Sequence, residues 1–150
     1  DVKKARSIID AIKPTLSEEE HHFEETLLIA AQATSLSEFE RVAGALDALA
    51  LKFQRSLVNR VYAISPNVFV YLLQRRLKSL GFYKGKADGV LASGSIRAIN
   101  EFCHSREIDG KCQRGPLTWE ARSAITSALF PEVASSEQED DEVQTEGLSL

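Results

Sequence analysis

The sequence predicts an all-α protein: an N-terminal helical hairpin, a compact three-helix module and an acidic tail. Three observations predict it. Apolar residues recur at steps of three and four along most of the 150 residues, and no strand-like run exceeds about three residues. Serine-led helix starts precede the apolar runs, at Ser17, Ser37 and Ser65. Hydrophobic residues make up 43% of the chain, enough for a packed core.

The first predicted helix spans Val2 to Lys13, with Ala5, Ile8, Ile9 and Ile12 on one face, and Pro14 ends it. Ser17-Glu18-Glu19-Glu20 reads as a capping box. The helix it opens runs to about Thr34, with Phe23, Leu27, Ala30 and Ala31 inward. Ser37-Glu38-Phe39-Glu40 reads as a second box, opening a long helix to about Ala63. Its seam of Phe39, Val42, Leu46, Leu49 and Phe53 is coiled-coil-like. Two such helices joined by a short link are expected to pack antiparallel.

Ser65 then caps a helix that has Pro66 at its first position, where a missing N–H costs nothing. Val70, Leu73, Leu77 and Leu80 predict one buried stripe, and Gly81 a left-handed stop. Phe82 to Gly89 contains two glycines and Asp88-Gly89, so it is a tight loop. A further helix carries Ile96, Ile99 and Phe102, with Ser93 or Ser95 near its start. The expected division is residues 1–64 as helical arm, 65–130 as module and 131–150 as disordered acidic tail.

Charge follows the same division. Asp1 to Pro66 holds eight basic and ten acidic residues, Asn67 to Phe130 ten and five, and Pro131 to Leu150 none and seven. A cationic module favours anionic partners. Nucleic acid is not expected among them, because the basic residues are not interleaved with exposed aromatics. No apolar run approaches a membrane span. Asp1 to Arg6 lacks a signal-peptide core and no Met occurs, so a processed form or a fragment is expected.

The module resembles the peptidoglycan-binding domain of bacterial wall hydrolases and envelope proteins. The resemblance rests on Leu73-Gln74-Arg75-Arg76-Leu77, Leu80-Gly81-Phe82-Tyr83, Asp88-Gly89 and Ala98-Ile99-Asn100-Glu101-Phe102. Ile108-Asp109-Gly110 and Gly115-Pro116-Leu117-Thr118-Trp119 extend it over about residues 66–130. Ala92 stands where the family usually has Gly, Cys103 replaces a closing Gln, and Lys111-Cys112-Gln113-Arg114 lengthens the last loop.

The resemblance implies a helical bundle that binds wall polymer without catalysis, in the periplasm or outside the cell. The ligand-binding candidates are Tyr83, Lys84, Lys86, Asp88, Arg97 and Trp119. Tyr83 is expected to present its ring and hydroxyl, and the cations to meet stem-peptide carboxylates. Asp88 also reads as a bond to its own loop, and Trp119 and Phe82 as core. Gln74, Gly81 and Gly89 read as scaffold. Cys103 and Cys112 read as a disulfide standing in for the family's Gln, which would imply an oxidising compartment, or as two unrelated thiols.

Other chemistries lack their residues. Glu18-x-x-His21 and Glu19-x-x-His22 match half of a di-iron pattern, without the second pair such a site needs. His104 lacks further zinc ligands, and Cys103 and His104 point about a hundred degrees apart on a helix. No nucleophile elbow, zincin helix or phosphate loop occurs. No enzyme activity, cofactor or metal is therefore expected. The alternative expectation is a protein-interaction module, in which the arm's seam binds a partner helix or a second copy.

Overall fold

A computed structural model describes residues 2–12 and 17–131. Among them are eight helices and no strand. They are α1 (Val2–Ile12), α2 (Glu18–Gln32), α3 (Leu36–Asp47), α4 (Leu51–Ile64), α5 (Pro66–Ser79), α6 (Ser93–Ser105), α7 (Asp109–Cys112) and α8 (Trp119–Leu129). Lys13, Pro14 and the acidic tail from residue 132 onward lie outside the described residues, as does the side chain of Ile12.

In the arm, α2 packs between α1, α3 and α4. The Ser17 hydroxyl accepts from the Glu20 amide at 3.1 Å, with no reciprocal Glu20 bond among the described residues. Along α2, Phe23, Thr26, Leu27, Leu28 and Ala30 are buried, whereas Ala31 is exposed, against expectation. In α1, Ile9 is buried but Ile8 is exposed. The capping box of α3 starts at Ser35, two residues before the expected Ser37. Ser35 Oγ accepts from Glu38 N at 3.3 Å, and Glu38 Oε1 accepts from Ser35 N at 3.1 Å.

The long helix expected from Phe39 to Ala63 is broken. It stops at Asp47 and restarts at Leu51, with Ala50 as N-cap. The break is held by Leu49 N–H donating to Leu46 O at 3.0 Å and by Gln54 Nε2 donating to Leu49 O at 3.0 Å. The apolar spacing survives the corner, so Leu46, Leu49 and Leu57 all stay buried while α4 turns back onto α2.

α5 is the central helix, in contact with α3, α4, α6 and α8. Val68 to Gln74 are all buried, so this segment buries its full circumference rather than one stripe. Ser65 and Pro66 start it as the sequence predicts, the Ser65 hydroxyl accepting from Val68 N at 3.4 Å. Leu80 lies past its end and is 44% exposed, against expectation. Gly81 follows at φ 88°, with Gly81 N donating to Lys78 O and Phe82 N to Leu77 O. That pair of bonds is a Schellman stop, and it turns Phe82 inward, edge-on to Phe102 with centroids 5.4 Å apart.

One core runs through both halves, from Phe23 to Phe130. Tyr62 of α4 meets Phe69 of α5 edge-on at 5.3 Å, and Phe39 of α3 meets Tyr71 at 5.6 Å. Arg55 of α4 donates to the carbonyls of Phe130 and Ser127 at the end of α8. The seam of Phe39, Val42, Leu46 and Leu49 is therefore filled by the chain's own side chains.

Candidate functional site

The module's loop is built around one buried amide. Gln74 is 1% exposed. Its Oε1 accepts from the backbone N–H of Asp88 and of Gly89, both at 2.9 Å. Its Nε2 faces Ser95 Oγ at 2.8 Å, Val90 O at 2.9 Å and Asp88 Oδ1 at 3.3 Å. Asp88 in turn accepts from Val90 N at 2.9 Å, the turn-closing bond its residue type predicts. Gly89 has φ 81°, and a Cβ there would meet Asn67 O at 2.8 Å and Phe39 Cε2 at 2.9 Å. The loop is thus seated against α5 and α3 at a point where only glycine fits.

This frame carries Tyr83, Lys84 and Lys86. Lys84 and Lys86 are exposed. Tyr83 is partly buried, and its hydroxyl donates to Lys86 O at 2.8 Å rather than standing free at the surface. Its ring lies over Gly85, where a Cβ would meet Tyr83 Oη at 2.7 Å. Lys78 Nζ donates to Gly85 O at 3.0 Å and ties the loop to α5. Phe82 packs against the core as expected.

Arg97 is exposed on α6, in an open groove lined by Ser93, Ile96, Asn100, Glu101 and His104. Trp119 is 73% exposed, so the core position expected for it is corrected. It is the first residue of α8, behind the N-cap Thr118, whose Oγ1 accepts from Ala121 N at 3.1 Å. Its ring borders a separate groove with Ile108, Lys111 and Ser123. The predicted residues thus form a loop cluster (Tyr83, Lys84, Lys86, Asp88), with Arg97 on α6 and Trp119 on α8.

Cys103 and Cys112 lie at disulfide distance, with Cα atoms 6.7 Å apart. They fasten α7 to α6 across a sequence separation of 9. Closing so short a loop stabilises by roughly 2–3 kcal/mol in the chain-entropy model. Reducing the pair is expected to lower the urea-unfolding free energy by about that amount, and replacing both cysteines by serine to remove the sensitivity to reductant.

His104 and Asp109 sit on this disulfide-closed loop, Nδ1 to Oδ2 at 3.0 Å, both exposed. The hydrogen bond to Asp109, then its charge, raises the His104 pKa above the ordinary imidazole value. Because the folded value is the higher one, the tether is fully formed below the unfolded pKa. It is lost as pH rises through the folded pKa. NMR titration is expected to show His104 titrating above free histidine, and Asp109→Asn to abolish the elevation. In the sequence His104 reads only as a zinc ligand or catalytic partner. The i, i+5 spacing of His104 and Asp109 across a helix end is a weak signal that could have paired them.

Among the described residues no three His, Cys, Asp or Glu side chains converge as a metal site. No described helix is long and apolar enough to cross a membrane. Over the described residues the fold and site together define an all-helical bundle with a braced cationic loop, an open groove on α6 and a disulfide tie between α6 and α7. No protein-family model, curated protein or solved structure matches the chain.

Proposed function

We propose that the chain is a non-catalytic module that binds peptidoglycan and tethers its helical arm, or a further attached domain, to the bacterial envelope. The observation that carries this reading is the Gln74 network. The residues on which the resemblance to peptidoglycan-binding domains rests, Gln74 and Asp88-Gly89, are hydrogen-bonded to one another across 14 and 15 positions. A chance likeness of scattered letters has no reason to form one bonded unit. That unit holds Lys84 and Lys86 in solvent, where they suit the carboxylates of stem peptides. The cysteine pair fits an oxidising location such as the periplasm or the exterior. The second reading, association through the arm's seam, has less support, because those side chains are already packed inside.

Exposed ion pairs are each worth at most about 1 kcal/mol and are screened by salt. Binding to purified sacculi is therefore expected to be modest and salt-sensitive. Lys84→Glu with Lys86→Glu should lower the bound fraction several-fold at low salt while leaving the circular dichroism unchanged. Tyr83→Ala should also lower it, by loosening the loop that Tyr83 Oη closes. Equal binding by the charge-reversed and unaltered proteins would remove the loop from the site.

A further inference from the structure

We infer that the groove on the outer face of α6 is a site for a zwitterionic peptide, with Arg97 meeting its carboxylate and Glu101 its ammonium. The groove is open and shallow, lined by α6 alone, with a volume of about 620 Å³. A second groove shares Ile96, Asn100 and His104 with it and continues past the disulfide to Gln113 and Pro116. The inference rests on the wall-binding reading for its natural ligand, the stem peptide.

The charge pattern selects the ligand. Arg97 and Glu101 are exposed, one turn apart on one helix face, with Cβ atoms about 5–6 Å apart by helical geometry. Arginine ahead of glutamate is the weaker order for an i, i+4 pair. No ion pair joins them among the described residues. Both heads are therefore open to a ligand. At the far end His104 is engaged by Asp109 of α7.

A purely anionic polymer gains from Arg97 and loses to Glu101. A neutral sugar gains from neither. A diamino acid at the open end of a wall stem peptide carries an ammonium and a carboxylate on one residue, so it can meet both heads. Asn100 lines the same groove and offers a donor and an acceptor to a peptide backbone. Ile96, 36% exposed, gives the diamino acid's alkyl stem an apolar wall.

The test is an NMR titration of the full chain with N-acetyl-alanyl-glutamyl-lysine, beside the same peptide with its lysine Nζ acetylated. Sacculus binding is measured in parallel. The peptide is expected to shift the amide signals of Arg97, Asn100 and Glu101. Acetylating Nζ, Glu101→Gln and Arg97→Gln should each weaken it roughly two- to fivefold, as for single exposed ion pairs. Shifts confined to other elements, or an affinity unchanged by acetylation and by Glu101→Gln, overturn the groove. So does sacculus binding without peptide binding, which leaves the wall-binding reading intact. Peptide binding at α6 without sacculus binding keeps the groove and removes that reading, and binding of neither removes both.

Discussion

Replacing Gln74 by leucine is expected to destabilise the protein by about 2–5 kcal/mol, although the two side chains are close in size. The substitution removes partners rather than volume. It strips the Asp88 and Gly89 amides of their acceptor and leaves Ser95 Oγ and Val90 O without their donor. Each buried polar group left unpaired costs roughly 1–3 kcal/mol. Gly89 and Ser95 are buried, so water cannot readily replace the amide there, whereas Asp88 and Val90 are exposed and recover part of the loss. Gln74→Ala should cost more, since it adds a cavity. The damage should be directional: hydrogen exchange should rise first in the Asp88 to Val90 loop. A double-mutant cycle with Ser95→Ala should show non-additivity, because the two side chains share one bond. Full additivity, with exchange in the loop unchanged, would mean that the network braces nothing.

Phe69→Ala is expected to cost about 3–5 kcal/mol, the usual range for a buried phenylalanine truncated to alanine. Phe69 is 0% exposed and its ring meets Tyr62 of α4 edge-on. It therefore occupies the boundary between the helices of the arm and those of the module. The continuous core predicts one cooperative urea transition, shifted as a whole to lower denaturant. Two transitions, only one of them moved by the substitution, would show that arm and module unfold separately.

Local chemistry made much of this fold legible. Ser65-Pro66 marks the start of α5, and Gly81 its stop, because caps and left-handed turns are set by a few adjacent residues. Ser35 and Ser37 show where that reading fails. Both stand three residues before a glutamate, so the pattern is satisfied twice; the box closes at Ser35, where Glu38 Oε1 also accepts from Thr34 N at 3.2 Å. The corner between Asp47 and Leu51 was not legible, since neither glycine nor proline marks it and the apolar period runs straight through. What makes it a corner is the burial of Leu49 and the return of α4 to α2, which are tertiary effects.

The site was legible in its loop and obscure on its helix. Asp88-Gly89 announces a turn, but the role of Gln74 depends on partners up to 21 positions away. In the sequence Gln74 therefore reads only as scaffold. Asn100 and Glu101 are ordinary exposed helix residues, and nothing in their neighbours signals that they line a groove. Trp119 follows a readable cap at Thr118, yet the cap says nothing about which way the ring points.

Whether this chain binds bacterial wall polymer, as proposed, is measured by co-sedimentation of the unaltered protein with purified sacculi across a salt series. A clear pelleted fraction is expected at low ionic strength, falling steadily as salt is raised. An empty pellet at low salt, together with self-association or capture of a partner by the helical arm, would contradict it and make the interaction reading the better one.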